Sequence, residues 1–118
     1  MATGDIVAIA PDLYAIEVAN VIWKKNTLTA EITADEAEKA LSNLYATFPR
    51  LVATQSLIPH AWRLAGALQT PVYDCLYLAV ALAHPPATLV TNDGRFGRRA
   101  APLFPGVVRM LRDVASEM

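Results

Sequence analysis

Three observations predict an α/β fold with a short, mainly parallel sheet and helices on both faces. Four short aliphatic or β-branched runs have strand length: Ile6–Ala10, Leu51–Ala53, Thr88–Thr91 and Val107–Met110. Longer segments with helical caps or helical apolar patterning separate them. Hydrophobic residues make up 54% of the 118 and charged residues 18%, so helices must be covered from several sides. At this length one domain spanning 1–118 is expected.

The first strand, Ile6–Ala10, is closed by Pro11, and Asp12 can cap a helix from about Leu13 to Lys25. Asn26-Thr27 ends that helix. Thr33 and Glu36 have capping-box spacing for a second helix, about Ala34 to Thr47, closed by Pro49. Leu51–Ala53 is the next strand. Pro59 suits the first turn of a third helix ending near Leu68, and Thr70-Pro71 precedes a fourth that carries Asp74. Thr88–Thr91 follows, then an Asn92-Asp93-Gly94 turn. A short basic helix, Arg95–Ala100, leads to a last strand, Val107–Met110, and a polar tail.

Composition narrows the function classes. Ten Lys+Arg against eleven Asp+Glu gives a net charge of −1, which does not point to a globally basic nucleic-acid binder. The single cysteine, Cys75, excludes an intrachain disulfide and a cysteine-based zinc cluster, and its apolar setting predicts an inert buried thiol. No apolar run approaches the roughly 20 residues that span a bilayer, and no basic segment opens a signal peptide. An intracellular, cytoplasmic protein with no membrane partner is expected. Only five glycines are present, without a phosphate-binding loop, and no Ser-His-Asp order stands out. His60 and His84 lack ligand-pair spacing, and Trp23, Trp62 and Tyr77 are expected to pack in the core or on a dimer face.

The chemical lead is acidic. Asp74 and Asp93 frame eighteen residues, 75 to 92, that hold no Asp, Glu, Lys or Arg. Carboxylates at the ends of buried elements call for a cation, because an unpaired buried carboxylate is costly. Glu17 is a third: in the run from Leu13 to Trp23 only Glu17 and Asn20 are strongly polar, and three-residue spacing places them on one helix face. Each acid also has an ordinary reading: Glu17 on a solvated stripe, Asp74 as a first-turn acid, Asp93 as turn chemistry. Arg95, Arg98 and Arg99 either line a solvated helix face or contact phosphates or acidic groups of an inhibitor.

The segments Pro11–Trp23 (PDLYAIEVANVIW), Val72–Ala83 (VYDCLYLAVALA) and Leu89–Phe96 (LVTNDGRF) resemble the PIN domain, specifically VapC-type toxin ribonucleases of toxin–antitoxin pairs. The resemblance runs from Ile6 to Met110 and implies a PIN-like three-layer α/β/α sandwich. It implies Glu17, Asp74 and Asp93 as catalytic acids binding Mg²⁺ or Mn²⁺, with Thr91 and Asn92 as polar support beside the last acid. It implies an endoribonuclease that hydrolyses RNA phosphodiesters, inhibited by a cognate antitoxin, and a homodimer; Arg95, Arg98 and Arg99 are candidates for RNA or antitoxin contact. Hard divalent cations prefer carboxylate oxygens, so the donor set and the chemistry agree.

One feature departs from the family pattern. That pattern opens with a central strand bearing an aspartate, then a helix, ahead of the segment matching Ile6, and Asp5 does not correspond to that aspartate. A late start, a natural remnant, or a strand supplied by another chain would each account for this, and weak nuclease activity is expected. The alternative function is a non-catalytic PIN-like module that binds antitoxin or self-associates. A metal-dependent phosphatase is disfavoured, since no nucleophilic Asp motif ends a first strand.

Overall fold

The computed structural model describes residues 7–47 and 49–117. Asp5, and Ile6 at the start of the expected first strand, lie outside the described residues. The chain divides into two compact units, Met1–Ala53 and Thr54–Met118.

In the first unit, β1 (Ile9–Pro11) pairs in parallel with β2 (Arg50–Val52), Ile9 opposite Arg50 and Pro11 opposite Val52. Pro11 belongs to the strand instead of closing it. The ladder runs through the amide of Arg50 to the Ala8 carbonyl (3.0 Å) and the amide of Asp12 to the Val52 carbonyl (3.0 Å). Strand alternation therefore turns position 11 away from β2, so the missing proline N–H costs no ladder bond. Asp12 stands at the head of α1 (Leu13–Trp23) but in helical φ/ψ, without a side-chain cap hydrogen bond. A capping side chain needs an extended backbone at that position, so the expected cap is not made.

α1 ends two residues early and passes into a π-helical turn, Lys24–Leu28, followed by Ala30 at φ 53°. α2 (Ala34–Ala46) opens on the capping box foreseen from sequence. The Glu36 amide donates to the Thr33 hydroxyl (3.1 Å), and the Thr33 amide donates to the Glu36 carboxylate (3.0 Å). Those bonds, the one from the Thr33 amide foremost, hold the Glu36 carboxyl below its ordinary range.

The second unit holds the larger core. α3 (Ile58–Leu68), with Pro59 in its first turn, packs against α4 (Val72–Ala83). α3 buries Ala61, Leu64 and Leu68, a stripe at helical spacing, and α4 buries Cys75, Leu76, Leu78, Ala79, Val80 and Ala81. Trp62 lies one residue off the α3 stripe and is 71% exposed; Trp23 of α1 is also exposed, so neither fills the core. β3 (Leu89–Thr91) pairs in parallel with β4 (Val108–Met110), Leu89 opposite Val108. Between them α5 (Gly94–Ala100) buries Phe96, Gly97 and Ala100.

The polar tail expected after Met110 is a further helix, α6 (Leu111–Ser116). It is followed by Glu117, whose carboxylate accepts from the Arg109 guanidinium. That pairing is between side chains eight residues apart, beyond the reach of local pattern rules.

The α/β class with parallel strands is as the sequence predicts. Among the described residues the strands form two separate two-stranded ladders, β1–β2 and β3–β4, where one sheet was expected. No helix among them is long and apolar enough to cross a membrane.

Candidate active site

Asp74 and Asp93 reach one cleft by different local routes. Pro71 is extended (φ −58°, ψ 149°) and starts α4, placing Asp74 in the first turn, where the helix dipole favours a negative charge. Asp93 is the N-cap of α5: its Oδ1 accepts from the Phe96 amide at 3.1 Å. The Asp93 amide in turn donates to the Thr91 hydroxyl at 3.0 Å, so Thr91 fixes the backbone that carries the acid. Each aspartate has the dull local role that its sequence context allowed. Both nevertheless line the same cleft, about 430 Å³ in volume, with Ala65, Gln69, Thr70, Pro71, Arg95 and Phe96.

A smaller hollow of about 170 Å³ shares Asp74, Asp93 and Phe96 and is completed by Tyr77, Leu89, Val90 and Thr91. The two carboxylates thus border both depressions. The carboxylates themselves are not deeply buried: Asp74 is half-buried and Asp93 exposed. The cost of a buried charge therefore does not explain the pair; the turns that bring two helix N-termini to one cleft do.

The other expected site residues separate into distinct settings. Thr91 supports Asp93 directly. Asn92 is exposed and lines neither depression. Arg95 lines the larger cleft beside both acids and makes no ion pair among the described residues. Arg98 folds back over Gly94, its Nη1 2.9 Å from where a Cβ would stand. Arg99 is turned inward and donates from Nη1 to the carbonyls of Leu68 (3.2 Å) and Gln69. Glu17 sits half-buried on α1 in the first unit. Among the described residues no three Asp, Glu, His or Cys side chains form a group that could hold a metal.

Two aspartates on one cleft are still a fitting donor set for a hard cation. Mg²⁺ is commonly held by one or two carboxylates, completing its shell with water and substrate phosphate oxygens. Asp93 uses one oxygen for the cap and retains the other. Cys75, next to Asp74, is fully buried, and its Sγ lies 3.0 Å from the Thr70 hydroxyl. Burial pushes the Cys75 thiol up, which agrees with an inert role.

The wall formed by Gln69, Thr70 and Pro71 was not foreseen as part of a site. Thr70-Pro71 is legible as a helix break, but Gln69 caps α3 in the left-handed region (φ 54°, ψ 47°). That conformation costs a non-glycine residue about 1 kcal/mol, and glutamine carries no sequence signal for it.

No curated protein and no solved structure matches the chain. The family model described as PIN domain matches residues 3–102, a span that includes Glu17, Asp74 and Asp93. The chain belongs to the PIN domain family.

Proposed function

We propose that this chain is a single PIN-like domain acting as an Mg²⁺- or Mn²⁺-dependent endoribonuclease of the VapC toxin type. In this reading it hydrolyses RNA in the cytoplasm, forms a homodimer and is held inactive by a cognate antitoxin. PIN domains are generally nucleases and generally depend on a divalent metal, and they commonly bind RNA and antitoxin partners. The observation that carries the reading is the pair Asp74 and Asp93, set on two helix N-termini and lining one cleft.

Each side chain has a defined task in this scheme. Asp74 and Asp93 hold the cation, with the Asp93 carboxylate oriented by the Phe96 amide and its backbone by Thr91. When bound, the cation supplies Lewis acidity toward the phosphodiester and the attacking water. Arg95, in the same cleft, binds a phosphate oxygen through its fork of donors and neutralises charge as the bond breaks. Asn92 is proposed as polar support beside Asp93, and Arg98 as a contact for RNA or antitoxin. The role proposed for Glu17 as a further acid rests on its E-V-A-N motif.

The test is a Mn²⁺ titration and an RNA-cleavage assay on the 118-residue chain, wild type against Asp74→Asn and Asp93→Asn. Both variants are expected to lose cleavage and to bind Mn²⁺ at least about tenfold more weakly. Equal Mn²⁺ binding by all three proteins would remove these acids from the ligand set. A second reading, a non-catalytic module that binds antitoxin or self-associates, is favoured by the exposed apolar side chains Ile16, Val21 and Trp23 on α1. Concentration-dependent self-association without any RNA cleavage would select it.

A further inference from the structure

We infer that Arg99 is a positioning residue that sets the spacing of Asp74 and Asp93, and not a contact for RNA or antitoxin. The inference rests on the reading of those two acids as a metal-binding pair. The larger cleft has two walls. One is the turn between α3 and α4, Gln69 to Pro71, which continues into the first turn of α4 and Asp74. The other is the start of α5, with Asp93 as its cap and Arg95 in its first turn. Arg99 lines neither wall but ties them together, because its guanidinium on α5 donates to the Leu68 and Gln69 carbonyls at the end of α3.

The connection closes a ring of short, stiff links. Asp93 and Arg99 lie at opposite ends of α5, about 9 Å apart along its axis at 1.5 Å per residue. From the anchored Gln69 carbonyl the chain needs only Thr70 and the extended Pro71 to enter α4. That turn is itself braced. The Gln69 amide side chain donates to the Gly66 carbonyl (2.8 Å), the Thr70 hydroxyl meets Cys75 Sγ (3.0 Å), and the Cys75 amide donates to the Pro71 carbonyl (3.2 Å). With both ends braced, any change in how α5 sits on α3 becomes a change in the distance between the two carboxylates.

The chemistry of the anchor suits arginine. The last carbonyls of a helix have no intrahelical partner and carry partial negative charge. A guanidinium there satisfies two acceptors from a group that stays protonated at all relevant pH values. The left-handed cap at Gln69 turns its carbonyl out of the helix path, and the Arg99 bond stabilises a conformation that a glutamine otherwise disfavours.

The experiment measures Mn²⁺ affinity by the electron paramagnetic resonance signal of free Mn²⁺, and thermal unfolding by circular dichroism. The proteins are wild type, Arg99→Met, Arg99→Lys, Asp74→Asn and, as a charge control on exposed α6, Arg112→Ala. Arg99→Met is expected to remain folded and to bind Mn²⁺ about tenfold more weakly, the usual scale for losing a group that orients a ligand. Arg99→Lys should show a smaller loss, since an ammonium reaches one carbonyl well and two poorly, and Arg112→Ala should match wild type. Unchanged Mn²⁺ affinity in folded Arg99→Met, with affinity lost in Asp74→Asn, overturns the positioning role and leaves the metal pair standing. Wild-type affinity in Asp74→Asn as well overturns the pair and the positioning role together. Should Arg99→Met fail to fold, a folded Arg99→Lys with wild-type affinity overturns the inference.

Discussion

Helices α1 and α4 are nearly matched as sequences and opposite as structures. LYAIEVANVIW and VYDCLYLAVALA are both apolar runs interrupted by a single acid. α4 buries six of its residues, with Cys75, Leu78 and Ala79 fully inaccessible. α1 has no buried residue, and Ile16 stands 70% exposed. Apolar content states that a helix must find cover. It does not state which neighbour provides it or how much of the helix that neighbour reaches. α4 is covered within its own unit by α3 and β3, whereas the neighbours of α1 in its unit, α2 and β1, leave every one of its positions partly accessible.

The largest expected effect tests that contrast directly. Leu78→Ala removes a fully buried side chain and is expected to cost about 2–5 kcal/mol in urea or thermal unfolding. Ile16→Ala should stay within about 0.5 kcal/mol, as surface substitutions usually do. Equal losses would show that α1 is covered in solution to the same degree as α4.

Helix caps should be alike where cores are unlike. Thr33→Ala at α2 and Asp93→Ala at α5 are each expected to cost about 1 kcal/mol, read in the same unfolding experiments. Asp93→Asn should retain that stability, because asparagine caps as well as aspartate, while removing the charge a cation needs. A Thr33→Ala loss too small to measure would mean that the first unit unfolds apart from the main transition.

The smallest effect is a pH dependence. The folded Glu36 carboxyl lies below its unfolded value, so its contribution is complete above the unfolded value of about 4.3 and disappears as pH falls through the lower folded value. Glu36→Ala should therefore lower the melting temperature slightly at neutral pH, and the gap to wild type should close as pH falls toward 3. A gap that persists in acid would assign the stabilisation to something other than the ionised carboxylate.

Features governed by near neighbours in the chain were legible in advance. The Thr33–Glu36 box, Pro59 in the first turn of α3, the turn at Asp93 and the buried run around Cys75 all depend on rules acting over a few residues. Asp12 was misjudged because the ladder bond from its amide to Val52 is not visible locally and its backbone is helical. α6 was missed because a six-residue helix followed by a distant ion pair leaves little periodic signal. Asp74 and Asp93 were found as residues, but their common cleft is an outcome of how α3, α4 and α5 meet.

Local propensity and apolar spacing thus sufficed for the α/β class and for the order of its elements from β1 through β4, since each is encoded within a turn or two of chain. That α1 stays accessible, which turn walls the cleft, and that Arg99 donates to carbonyls some thirty residues earlier were decided by tertiary packing. Those outcomes depend on which surfaces can cover one another and which unpaired backbone groups lie within reach of a donor, and no sequence window contains both partners.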